Sequence, residues 1–114
     1  MTTRRLLTAW LPVVAWAAVI FALSSIPSLS SGLGTWDLLL RKGAHLTEYA
    51  ILAYLLRRAL GRDLPAFGLG VLYAASDELH QRFVHGRHAS PVDVGIDALG
   101  LGLGLLAYRL KEAR

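Results

Sequence analysis

Residues 6–25 read LLTAWLPVVAWAAVIFALSS, a run without a single charged side chain. A helix that crosses the hydrocarbon core of a bilayer needs about 20 mostly apolar residues, and this run supplies them. Arg4 and Arg5 stand just before it, as in a secretory or twin-arginine signal. The apolar core of such signals is only roughly 7–15 residues long, and no Ala-x-Ala cleavage site follows here. The run therefore reads as a retained first membrane helix.

Working outward, three more apolar stretches follow, at about residues 42–60, 65–84 and 91–110. They carry His45, Glu48, Asp77, Glu78, His80, Asp93 and Asp97, but the blocks Tyr49–Leu56, Pro65–Ala75 and Ala98–Leu106 hold no charge. The connections are short: Arg57–Leu64, with Gly61 before Pro65, and His85–Ser90 before Pro91. Proline in a first helical turn loses nothing by lacking its N–H, and short links make neighbouring helices antiparallel. The longer stretch 26–41, with Leu29, Leu33, Trp36 and Leu38, suits an interfacial segment. Gly100 and Gly104 stand four apart, which permits close helix contact. The expectation is all-α: an integral membrane, antiparallel four-transmembrane-helix bundle, one domain over residues 1–114.

Composition agrees. Of 114 residues, 54% are hydrophobic with the 11 glycines left out of that count, and 18% are charged. Soluble domains run about 45–50% apolar with glycine included. So short a chain cannot hide that excess in an aqueous core, which excludes an ordinary soluble enzyme. With no cysteine, disulfide frameworks, thiolate metal sites and cysteine nucleophiles are excluded as well.

The net charge of +4 finds its explanation in topology. With the amino terminus inside, the inner ends hold Arg4, Arg5, Arg57, Arg58, Arg62, Arg109, Lys111 and Arg114, and the outer ends only Arg41, Lys42, Arg82 and Arg87. The positive-inside rule thus predicts both termini cytoplasmic. A nucleic-acid partner has no aromatic-lined basic groove to support it.

This orientation collects the acids. At about 1.5 Å rise per residue, Glu48 lies roughly 9 Å below Lys42 and Asp97 roughly 9 Å below Pro91. Asp77 lies roughly 18 Å along its helix from Pro65, about 12 Å short of the far side of a 30 Å core. Ser24 and Ser25 close the first helix at the same level, before the Ile26-Pro27 break. Lys42, His45 and either Glu48 or Tyr49 follow one helical stripe. Tyr73, Asp77, His80 and Gln81 share a second, and Asp93, Asp97, Gly100 and Gly104 a third. Charges inside a membrane usually face the bundle interior and pair. One polar site near the outer leaflet is expected, in which Glu48, Asp77, Glu78, Asp93 and Asp97 outnumber Lys42, Arg82 and Arg87.

Ser24-Ser25-Ile26-Pro27, Lys42-x-x-His45-x-x-Glu48-Tyr49, Ser76-Asp77-Glu78-x-x-Gln81-x-Phe83, Gly86-Arg87, Asp93 and Gly100 resemble the VanZ-like family across roughly residues 20–104. His85 stands where that family often has proline, and Asp97 where it often has asparagine. The resemblance implies a small bacterial membrane protein linked to low-level resistance to glycopeptide antibiotics, teicoplanin especially.

Two function classes fit the residues. In one, the outer cleft acts on a lipid-linked or cell-envelope ligand. Asp77 or Glu78 then serves as general acid or base with His45 as partner, and Glu48 nearby. Lys42 and Arg87 would hold a phosphate or carboxylate, with Gln81, Asp93 and Asp97 completing the ligand-binding set. In the other, the same site binds envelope components without chemistry, or scaffolds other proteins. A small transporter fits less well, because the inner half offers no hydrophilic path. Blander roles stand beside these. Arg87 with Glu78 or Asp93 could lock two helices, His85 and His88 would be solvated, and His80 would snorkel. Ser24 and Ser25 would back-bond carbonyls. His45 and Glu48 would make half of a metal site. Cofactor and oligomeric state stay open.

Overall fold

The computed structural model describes residues 2–25, 35–83 and 91–113. Those residues form four α-helices and no strand: α1 (Thr3–Ser24), α2 (Thr35–Leu60), α3 (Asp63–Gln81) and α4 (Pro91–Glu112). The Thr2 hydroxyl caps α1 by accepting from the Arg5 N–H at 3.2 Å. Between α2 and α3 the turn passes through Gly61 at φ +77°, a left-handed conformation that costs glycine little. Pro65 lies in the first turn of α3 and Pro91 opens α4.

The helix boundaries differ from the sequence reading by at most three residues except at the start of α2. The helix expected from Lys42 begins at Thr35, so the last part of the presumed interfacial connection is helical. No glycine or proline interrupts Thr35–Lys42, and a nascent helix has no reason to stop there. Residues 26–34 lie outside the described residues.

Consecutive helices run antiparallel, and the most extensive contact joins α2 to α4, two parallel helices. Both α2 and α3 touch all three other helices, whereas α1 and α4 do not meet. The order around the bundle is therefore α1–α2–α4–α3, with α2 and α3 across the short diagonal. The α2–α4 seam is in register: Leu46, Ala50 and Tyr54 lie opposite Gly100, Gly104 and Tyr108. A Cβ on Gly100 would strike the Leu46 carbonyl, and one on Gly104 the Ala50 carbonyl. Two glycines four apart, lacking side chains, are what lets the two backbones come so close.

The core contains Ile20, Tyr49, Leu52, Ala53, Leu56, Ala66, Ala74 and Leu101. Polar residues are buried beside it: Ser24, Asp77, Glu78, Gln81 and Asp97, the last only 1% exposed. Large apolar side chains meanwhile stand exposed on every helix, among them Leu11, Val14, Leu40, Leu72, Leu103 and Leu106. Among the described residues, α1 alone is long and apolar enough to cross a membrane by length and composition.

Candidate functional site

Three helices deliver the polar side chains to one end of the bundle, where α2 and α4 begin and α3 finishes. Lys42 Nζ donates to Asp93 Oδ1 at 2.9 Å. One turn deeper, His45 Nδ1 meets Asp97 Oδ1 at 3.0 Å, and His45 Nε2 lies 3.4 Å from the Gln81 amide nitrogen. Deeper again, the Tyr49 hydroxyl donates to Asp77 Oδ2 at 3.0 Å. The rungs follow the geometry of α2: positions 42, 45 and 49 share one face, which here looks into the angle between α3 and α4.

The first helix closes the far side. Trp16 Nε1 donates to the Glu48 main-chain carbonyl at 2.8 Å, and the Tyr73 hydroxyl donates to the Ala17 carbonyl. Ser25 Oγ donates to the Phe21 carbonyl at 2.8 Å, as expected of a serine at a helix end, and lies 2.9 Å from His80 Nε2. The His80 ring stacks on Phe21 with centroids 4.3 Å apart. His80 is thus tied to α1 rather than reaching alone for the surface.

Of the residues singled out from the sequence, Lys42, His45, Asp77, Gln81, Asp93 and Asp97 meet in this ladder. Glu78 is buried on the same turn of α3 as Asp77. Glu48 is half-buried, and its carboxylate and that of Asp77 lie within electrostatic reach of His45. Arg87 lies outside the described residues, as do His85, His88 and the Ile26-Pro27 break. The described partner of Asp93 is Lys42. Among the described residues no three of His, Asp and Glu gather as a metal-holding group, so His45 and Glu48 do not grow into a full ligand set there. Sequence reasoning placed Tyr49 in a motif without a role; its hydroxyl is what holds Asp77.

Two features give the ladder chemical potential. Asp97, almost fully buried, fixes the His45 ring through Nδ1, leaving Nε2 as the nitrogen able to exchange a proton with another group. Asp77 keeps one oxygen, Oδ1, buried with no hydrogen-bond partner among the described residues. A buried acceptor left unmatched is costly, and a ligand donor would relieve it.

The opposite end of the bundle carries a second polar cluster, which sequence spacing did not suggest. Arg57 donates through Nε to Asp63 at 2.8 Å and through Nη2 to Glu112 at 3.0 Å, and Arg109 Nε donates to Asp63 at 2.7 Å. These bonds clamp α2, α3 and α4 together. The Arg109 guanidinium, and then that of Arg57, hold the Asp63 carboxyl below the usual carboxylate range.

The model of the VanZ/LLP1 family matches residues 3–112. The chain belongs to the VanZ/LLP1 family. That match takes in all four helices, including α1, which the motif resemblance barely reached. No curated protein and no solved structure matches the chain. In this VanZ-family chain, the motif residues Lys42, His45, Tyr49, Asp77, Gln81 and Asp93 bond across helices in the ladder.

Proposed function

We propose that this protein spans the bacterial plasma membrane four times with both termini in the cytoplasm. Its ladder then lies near the outer leaflet, where it acts on or binds a cell-envelope or lipid-linked ligand and thereby lowers susceptibility to glycopeptides such as teicoplanin. The observation that carries this reading is the inverted distribution of polarity. Asp77, Glu78, Gln81 and Asp97 are buried at one end, while leucine and valine side chains face outward along all four helices. In water that arrangement would expose apolar surface everywhere and dehydrate acids at a cost. In lipid it is what intramembrane charge requires. Helices of 22, 26, 19 and 22 residues are roughly 33, 39, 28 and 33 Å long at 1.5 Å per residue, three above and one just under the thickness of a core of about 30 Å.

Within the site, His45, oriented by Asp97, is the proton-exchanging group. Asp77 and Glu78 are the acids beside it, and Lys42 and Arg87 the anchors for an anionic group. Family membership supports the link to glycopeptides. The test is teicoplanin susceptibility of a sensitive bacterial host expressing the protein, with membrane abundance measured alongside. Wild-type protein should reduce susceptibility, and His45→Ala and Asp77→Asn should abolish the protection at equal abundance. Full protection from both variants would refute the assignment of the site.

A further inference from the structure

We infer that the α2–α4 seam holds an anionic phospholipid, with its acyl chain in a groove and its phosphate at Lys111. The groove measures about 320 Å³ and is lined by Leu46, Ala50 and Tyr54 of α2 and Leu103, Gly104 and Ala107 of α4. Its walls are almost wholly apolar, and from Leu46 to Tyr54 it runs roughly 12 Å along the helix axis, close to the depth of one leaflet of a core about 30 Å thick.

The charge that selects the headgroup stands at the Tyr54 end. Tyr54 and Tyr108 meet edge to face at 5.1 Å, and the Lys111 ammonium sits 5.6 Å from the centre of each ring. Arg57 stacks on the Tyr108 ring at 4.7 Å but also bonds Asp63 and Glu112. Lys111, by contrast, has no carboxylate partner among the described residues. Aromatic rings with a cation at a helix end mark headgroup level, and one unneutralised lysine above an apolar groove matches a lipid with negative phosphate and aliphatic tail. By the orientation proposed above, this lipid belongs to the cytoplasmic leaflet. The inference rests on the four-span reading, since only then does the groove face acyl chains.

The experiment is native mass spectrometry of the full chain, purified in a neutral detergent and titrated with phosphatidylglycerol or phosphatidylcholine of the same chains. Phosphatidylglycerol should bind more tightly, and Lys111→Ala should erase about fivefold of that preference, the effect of one lysine near an anionic surface. Ala107→Trp, which fills the groove from an exposed position, should weaken both lipids. Arg58→Ala, an exposed cation outside the groove lining, should change neither. Equal binding of the two lipids, or a preference that survives Lys111→Ala, overturns the inference. A dimer that Ala107→Trp dissociates also overturns it, by giving the groove to a second copy. Failure of the four-span reading looks different: the protein would stay dispersed without detergent.

Discussion

Replacing Gly104 by alanine tests whether the α2–α4 seam sets the site. A Cβ there would meet the Ala50 backbone, with the carbonyl carbon at 2.8 Å and Cα at 3.0 Å. Ordinary contact between carbons is about 3.5–4.0 Å, so the helices must part by on the order of 1 Å. Backbone cannot swing aside as a flexible side chain can. Overpacking of this kind costs about 1–3 kcal/mol. The parting also lengthens the Lys42–Asp93 and His45–Asp97 bonds, now 2.9 and 3.0 Å, beyond the roughly 3.2 Å limit of a good hydrogen bond. Gly102→Ala is the control, because nothing lies within 4 Å of its added Cβ. There only the helix preference for alanine acts, a gain of up to about 1 kcal/mol. That preference acts equally at Gly104 and cancels, so thermal unfolding of both variants in detergent should place Gly104→Ala about 1–3 kcal/mol below Gly102→Ala, with teicoplanin protection lost in the former alone. Equal stabilities would refute the close seam and its hold on the site.

Two other variants probe single bonds. Tyr49→Phe removes the donor to Asp77, leaving both carboxylate oxygens without a partner among the described residues, and should lower stability by about 1–3 kcal/mol; an unchanged melting temperature would contradict the buried Tyr49–Asp77 bond. Asp63 tests the clamp at the opposite end through pH. Its carboxyl is held below its ordinary value by Arg109 and Arg57, so its contribution is fully present above the unfolded value and is lost as pH falls through the lower folded value. Asp63→Asn should flatten that acid limb of a melting-temperature profile, and a profile unchanged by the substitution would contradict the clamp.

Much of the ladder is legible in the sequence because it follows from local spacing. Positions 42, 45 and 49 lie on one helical stripe, 77 and 81 on another, and 93 and 97 on a third. In the proposed four-span placement, the cost of intramembrane charge turns those stripes inward. Gly100 and Gly104 likewise announce a close contact, although not that its partner is the parallel helix α2. The Arg57–Asp63–Arg109–Glu112 clamp is different. Its members stand far apart along the chain, and only the register between α2, α3 and α4 brings them together. The positive-inside rule counted those arginines as free cations, whereas the structure commits two of them to Asp63 and Glu112. The early start of α2 escapes local reading for a related reason: serine and glycine at 30–34 suggest a loop, and nothing in the helix-compatible run after Thr35 marks where that loop ends.

The most direct test of the proposed placement is cysteine labelling across the membrane. The chain has no cysteine of its own, so single substitutions report without background. Thr35→Cys precedes the ladder on α2, and Ala113→Cys follows the opposite end of α4. In intact cells a membrane-impermeant thiol reagent should label Thr35→Cys and spare Ala113→Cys until the membrane is opened. Labelling of Ala113→Cys alone would invert the bundle and move the ladder to the cytoplasmic face. Labelling of both from outside would contradict the odd number of membrane crossings that the account places between them.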